Sequence, residues 1–373
     1  MSNFAKNTFT VSLFQKALGF SKWIQALPRK MMPPPMRLIQ IGSLYWQSRA
    51  LHVAVSLDIA SLLGDQKLAI HDLAGKTSCH GGSLYRLLRM LISMGIFDEP
   101  EPGIIANNQT SAFLDASNPK NVRDMILMHN SPEMTQPWIE ELENGVRSGE
   151  IPFCLAHGDE LFGYLETHPD FGSLFAKAMV STEAIVGSTF LTDFDWGQYE
   201  RIIDIGGSKG SKSIAILKLN PKLKAVVFDR PPVVAEAQDY WKGKVEESVL
   251  ERIEFIGGDA RESVPAATSN KDIYMLCAVL HGLSDDDSIK ILKNIRLASE
   301  SYQADLAIMD AVLAEQKESL MLTSFDMQML MTTEGRERTT KEWVAICASS
   351  GYKIQHVFDT RSLWKLQLLT AES

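Results

Sequence analysis

The stretch Tyr199-Glu200-Arg201-Ile202-Ile203-Asp204-Ile205-Gly206-Gly207-Ser208-Lys209-Gly210 reads as an apolar strand that closes on an acidic residue and opens into a glycine-rich turn. Glycines at such a turn let the backbone bend sharply and approach a ligand, and Ser211 to Leu217 follow with the pattern of a helix start. A dinucleotide fingerprint read from Gly206 needs glycine at 208 and 211, and both are serine; a Walker phosphate loop fails on the same stretch. Ahead lies Leu223 to Asp229, a second apolar strand ending on a carboxylate that can grip a ribose diol. Two strand-terminal carboxylates around a glycine turn suit a cationic, phosphate-free ligand.

Beyond residue 190 the pattern alternates. Strands are predicted over 200–205, 223–228, 252–256, 272–277 and 305–309, with the last part of one apolar run, Ile273 to Leu280, leading into His281, and an amphipathic helix over Ser284 to Ala298. Such alternation builds a parallel sheet with helices on both faces. Tyr352 to Val357 and Trp364 to Leu369 are separated by a short turn and pair as a terminal hairpin. Before residue 115 the chain differs. After Pro33-Pro34-Pro35, Leu38, Ile41, Leu44, Leu51, Val55 and Leu57 recur at helical spacing, predicting a packed helical region that ends near Leu63-Gly64. Ile70 to Ala74, Gly82 to Leu91 and Gly95 to Phe97 then outline two short helices and a β-ribbon, a winged helix. A winged helix ordinarily points to DNA, but the wing Asp98-Glu99-Pro100-Glu101-Pro102 is acidic and the chain carries a net charge of −9. Phosphate binding needs a positive stripe, so a nucleic-acid partner and a DNA-binding regulator are both disfavoured.

With 373 residues and 45% hydrophobic content the chain can fill two cores. The expected parts are a helical winged-helix domain over 1–115, a helical linker lining a pocket over 116–190, and a ligand-binding domain over 191–373. Four cysteines, Cys79, Cys154, Cys277 and Cys347, are scattered without a C-x-x-C pair, which suits the reducing cytoplasm. Residues 1–30 mix Phe, Leu and Trp with lysines in runs too short to span a bilayer, and no signal-peptide cleavage pattern follows; a surface or dimer-packing helix and membrane contact are the two readings.

Five short motifs in order carry a resemblance: D-x-G-G-x-x-G at Asp204 to Gly210, F-D-x-P at Phe228 to Pro231, G-G-D at Gly257 to Asp259, L-H-x-x-S-D at Leu280 to Asp285 and G-R-E-R-T at Gly335 to Thr339. With them the chain resembles the class I S-adenosylmethionine-dependent small-molecule O-methyltransferases, which include the acetylserotonin, caffeate and bacterial polyketide enzymes. The resemblance implies an α/β fold, a Rossmann-like methyltransferase sheet with an N-terminal helical winged-helix dimerisation domain, working as a homodimer without nucleic acid, metal or membrane insertion. It implies S-adenosylmethionine as cofactor, held by Asp204, Gly206, Gly207, Gly210, Asp229, Asp259, Ala260 and Cys277. It places the general base at His281, whose imidazole has an unperturbed pKa suited to removing a hydroxyl proton, with Asp310 and Glu337 as its carboxylate partners; a structural histidine and a first-turn helix glutamate are the plainer alternatives.

For the substrate, Met128, Met179, Trp138 and Phe175, with Met125, Met134, Phe162, Tyr164 and Phe171, offer either an adaptable wall for a planar apolar molecule or ordinary core. His129, Gly282 and Met327 complete the expected substrate set. Where the family commonly reads H-D-W the chain has His281-Gly282-Leu283, and Cys277 stands where a basic cofactor contact is common. Two functions follow: methylation of a hydroxyl, or a non-methylating step (pericyclic, decarboxylating or hydroxylating) on the same fold.

Overall fold

The computed structural model describes residues 4–186, 188–235 and 237–372, side chains of 25–31 and 182–186 excepted. It divides into two compact units, Trp23–Gly187 and Met1–Lys22 with Ser188–Ser373.

In the first unit, helices span Pro34–Gly42, Leu44–Ser56 and Ile59–Leu63. Proline at the start of the first satisfies the fixed φ of a helix N-terminus, and Asp58, in the left-handed region at φ 57, breaks the run between the second and third. The Arg123 guanidinium pins that break through Asp58 at 2.5 Å. Helical spacing at Leu38, Ile41 and Leu44 builds a face that stays 50–70% exposed, whereas Ala54, Val55 and Ile59 are buried. Packing of the expected region therefore begins only near Ala50. The winged-helix outline is present: helices Ile70–Thr77 and Gly81–Ser93, then an antiparallel sheet of β1 (Lys67–Ala69), β2 (Asp98–Glu101) and β3 (Ile104–Ala106) in the order β1-β3-β2. Leu84, Leu88 and Leu91, spaced to share one helix face, pack with Leu73, Phe97 and Ile105. Glu99 of the wing is held by the Tyr85 hydroxyl and the Gly103 amide. Helices from Arg123–His129 to Pro169–Val186 complete the unit.

The second unit is built on a seven-stranded sheet. Its strands are β4 (Arg201–Ile205), β5 (Lys224–Asp229), β6 (Ile253–Gly257), β7 (Asp272–Cys277) and β8 (Asp305–Asp310), all parallel, and β11 (Tyr352–Asp359) and β12 (Lys365–Ala371), which form the expected hairpin and enter antiparallel. Between them β9 (Val312–Leu313) and β10 (Arg338–Thr339) make a separate parallel pair. Strand order in the large sheet is β11-β12-β8-β7-β4-β5-β6. Residues alternate between the two faces: Ile273, Met275 and Cys277 enter one core cluster, Tyr274 and Leu276 the other. Both faces are covered, so the strands read as continuous apolar runs rather than alternating ones.

β7 ends at Cys277, three residues short of the apolar run Ile273 to Leu280. Ala278 turns into the left-handed region at φ 55 while its amide still donates to the Met309 carbonyl at 3.0 Å. Leu280 is buried in the core as part of a short 3-10 turn. Strictly apolar sequence cannot mark that exit, because Leu280 is buried for packing and not for the sheet. The first helix, Thr8–Met31, begins on this unit: Ala5 bridges Phe194, Lys6 pairs with Asp195 at 2.6 Å and the Gln15 amide donates to the Thr360 carbonyl at 2.9 Å. The N-terminal domain expected over 1–115 thus shares its first residues with the C-terminal unit. No helix among the described residues is long and apolar enough to cross a membrane, and the four cysteines form no disulfide.

Candidate active site

The chain lays β4, β5 and β6 on one side and returns to lay β7 and β8 on the other, so the strand order reverses between β4 and β7. Doubly wound sheets bind ligands outside the carboxyl ends of the strands at such a reversal. The glycine turn after β4 and the His281 turn after β7 flank that point.

Gly206 and Gly210 sit at φ 71 and 80, conformations that side chains rarely adopt. A Cβ on Gly207 would lie 2.6 Å from the Asp204 carboxyl group. Asp204, almost fully buried, accepts from the Ser213 hydroxyl at 2.6 Å and so supports the turn from beneath. At the end of β5, Asp229 accepts from the amides of Ser208 and Arg230, both at 2.7 Å, which fixes the carboxylate beside the turn with lone pairs to spare. Asp259 is engaged by Arg261 at 2.9 Å, and that hydrogen bond holds its carboxyl below the ordinary value. The Ala260 carbonyl receives the Asn294 amide at 2.9 Å, and Cys277 is buried at the end of β7.

His281 Nδ1 lies 2.8 Å from Glu337 Oε1. Nδ1 therefore carries the proton and donates it, an assignment from the hydrogen-bond network, and Nε2 keeps its lone pair. Burial by itself lowers the imidazole's pKa; the Glu337 hydrogen bond and the charges of Asp310 and Glu337 outweigh it, leaving the pKa raised. The Phe325 ring stands 5.6 Å from the imidazole. Asp310 joins through charge alone. Its two oxygens are buried without hydrogen-bond partners, and burial pushes its carboxyl up to about 7 against the opposing pull of His281. Glu337 lies just before β10 and outside the helix Thr340–Ser349, whose N-terminus Thr339 and Glu342 close with a reciprocal capping box. The first-turn alternative for Glu337 does not apply.

Three neighbours escape a reading by residue type. Arg338, with a fully buried side chain, donates to the carbonyls of Leu280 and Leu283. Asp326 accepts the Glu337 amide at 2.9 Å. A Cβ on Gly335 would overlap the backbone of His281, Gly282 and Leu283. The G-R-E-R-T spacing was the available signal, since a buried arginine beside the glutamate needs several carbonyls to satisfy it.

Of the expected substrate residues, Gly282 and Met327 lie in the same unit as His281, and space beside Gly282 is open to a Cβ. Met128, His129, Trp138, Phe175 and Met179 belong to the helical unit. Met128, Met134 and Phe171 are core there, while Met179 and Phe162 are 37% and 50% exposed. His129 is exposed there. Among the described residues no group of three or more His, Cys, Asp or Glu side chains forms a metal site.

A family model for an O-methyltransferase domain matches residues 138–353, and one for an O-methyltransferase dimerisation domain matches residues 39–116. A phenazine O-methyltransferase of Lysobacter antibioticus is 34% identical over 325 residues, 87% of this chain and 93% of that protein. A phenazine-1-carboxylate N-methyltransferase of Pseudomonas aeruginosa is 30% identical over 86% of this chain and 93% of that protein. The solved structure of a mitomycin 7-O-methyltransferase superposes with a TM-score of 0.80 at 28% identity, covering 90% of this chain and 97% of that one. Matched over more than half its length by the family's domain and across most of it by such relatives, the chain belongs to the class I S-adenosylmethionine-dependent O-methyltransferase family of small natural products.

Proposed function

We propose that this methyltransferase methylates a hydroxyl of a small, planar, largely apolar natural product, with His281 as general base. The observation that carries it is the His281–Glu337 bond of 2.8 Å, which leaves a basic nitrogen next to the strand-order reversal. The residues around the glycine turn fit S-adenosylmethionine: Gly206 and Gly210 adopt the left-handed turns that let backbone approach a ligand closely, and Asp229 beside them offers a carboxylate suited to a ribose diol and a cation. When bound, that cofactor supplies an electrophilic methyl group on a positively charged sulfur. Asp229 holds the diol, Asp204 keeps the turn in shape, and Gly206, Gly207 and Gly210 allow the backbone its close approach; Asp259, Ala260 and Cys277 line the remainder. His281 Nε2 takes the hydroxyl proton, and Glu337, with the charge of Asp310, stabilises the imidazolium that results.

His129 is proposed to orient the substrate, with Met128, Trp138, Phe175, Met179, Gly282 and Met327 contributing apolar contact. The relatives named above act on a phenazine oxygen and on a phenazine carboxylate's nitrogen, so both acceptor atoms belong in the test. Purified protein is incubated with methyl-labelled S-adenosylmethionine, a hydroxyphenazine, other phenols and tertiary aromatic amines. Label on oxygen supports the reading; label on nitrogen alone, or an unlabelled rearranged product, overturns it.

Asp229→Ala should weaken S-adenosylhomocysteine binding by about 10- to 100-fold, as expected for losing a charge-assisted hydrogen-bonding pair, about 1.5–3 kcal/mol. Calorimetry checks it, and an unchanged affinity moves the diol contact elsewhere. The match to a dimerisation domain and the exposed apolar face before residue 50 support a homodimer, with the division near 115 and 190 as its working parts. Leu38→Asp combined with Trp46→Asp, at side chains 70% and 63% exposed, should convert a dimer to a monomer by light scattering. A monomeric wild type at assay concentration would sink the dimer.

A further inference from the structure

We propose that Arg338 is a positioning residue that sets the turn carrying His281, so that the imidazole meets Glu337. Its guanidinium reaches both sides of the histidine: Nη1 donates to the Leu280 carbonyl at 2.7 Å and Nη2 to the Leu283 carbonyl at 2.9 Å. Nη2 also donates to the Ser288 hydroxyl at 3.2 Å, and Nε to Asp285 Oδ1 at 2.9 Å. The guanidinium lies over the Trp343 ring at 5.4 Å, and that indole is itself anchored to the Ala311 carbonyl at 3.2 Å.

The fork geometry explains the residue type. Two carbonyls three residues apart, a hydroxyl and a carboxylate need four donor directions in fixed relation, which a planar guanidinium offers and a lysine ammonium does not. Arg338 is also next in sequence to Glu337, and its backbone pairs with Val312, two residues beyond Asp310. One residue thereby fixes the turn bearing the base relative to both carboxylates. Gly335 lets the two backbone segments touch, and Asp285, bonded to Arg336 as well at 2.5 Å, orients the fork from the helix it starts.

This inference rests on the base role proposed for His281, and its test reads position separately from chemistry. In full-length protein the His281–Glu337 proton gives a downfield NMR resonance, assigned by its loss in His281→Gln. Arg338→Met is expected to lose that resonance and to lower hydroxyphenazine turnover by about 100-fold, the scale of a misplacement near 1 Å, while KM and S-adenosylhomocysteine affinity by calorimetry stay unchanged. Arg338→Lys, which keeps the charge, should not restore either readout. A resonance that survives in Arg338→Met, or full recovery in Arg338→Lys, overturns the proposal. Should Arg338→Met fail to fold, Asp285→Ala decides, since that side chain is 39% exposed: a weakened resonance supports the clamp, and an unaltered one overturns it. Full turnover in His281→Gln would sink the base reading alone, because loss of the resonance in Arg338→Met still reports the positioning.

Discussion

His281→Gln is expected to keep its affinity for S-adenosylhomocysteine and to lose about 10²- to 10⁴-fold in turnover, the usual contribution of a general base. Glutamine retains the size and a hydrogen bond to Glu337 but offers no nitrogen that can accept a proton at neutral pH. The wild-type pH profile supplies an independent sign. A base must be neutral to act, and the Glu337 bond with the Asp310 and Glu337 charges raises the His281 pKa despite burial. Turnover should therefore climb with pH through a limb above the ordinary histidine value of about 6.5. Asp310, pushed to about 7 by burial, exchanges its proton over the same range, so the limb belongs to His281 and Asp310 together and not to one residue. Glu337→Gln should cost less than His281→Gln and shift the limb downward, because the stabilised imidazolium is lost. The double variant should be little worse than His281→Gln, since groups acting as a unit are not additive. Near-full activity in His281→Gln with none in His129→Ala would reverse the assignment of the base.

Gly335→Ala should be almost as damaging although it adds only a methyl group. The added carbon would overlap the backbone of His281, Gly282 and Leu283, and backbone cannot rotate aside as a side chain can. Overpacking of this kind costs about 1–3 kcal/mol, and the turn that yields carries the base. Denaturant unfolding should register the loss of stability, and turnover should fall by about 100-fold or more from displacement of the imidazole. Gly282→Ala is the control on the facing segment: a Cβ there meets nothing within 4 Å, so stability should be unaltered. Equal damage from both substitutions would show that the two segments do not meet as described.

Much of the second unit could be read in the chain. Strands over 200–205, 223–228 and 272–277 carry apolar residues on both faces because both faces are covered, and their short length between turn signals marks them as strands. Strand direction was also legible: alternation with helices implies a parallel sheet, and the arms of a closing hairpin at 352–369 must pair antiparallel with each other. The winged helix was recognisable because Leu84, Leu88 and Leu91 share one face. Local rules failed where burial serves something other than the strand, as at Leu280, and where helical spacing builds an outward face, as at Leu38 and Ile41.

The residue types of the site, an acid-ended strand, glycines without a phosphate code, a histidine after the fourth parallel strand and a glutamate in G-R-E-R-T, were determined by sequence alone, since each follows from local backbone need or from motif order. The tertiary structure decided the partnerships. Residue 281, residue 310 and the neighbouring pair 337 and 338 are far apart in the chain, and only the register of β7 with β8 and the pairing of β9 with β10 bring them together. That is why Glu337 bonds the imidazole while Asp310 acts by charge, why Asp204 braces the turn through Ser213, and why Arg338 is buried across the carbonyls of 280 and 283. Hydrogen-bond partners depend on tenths of an ångström, and packing sets those distances after composition has chosen the groups.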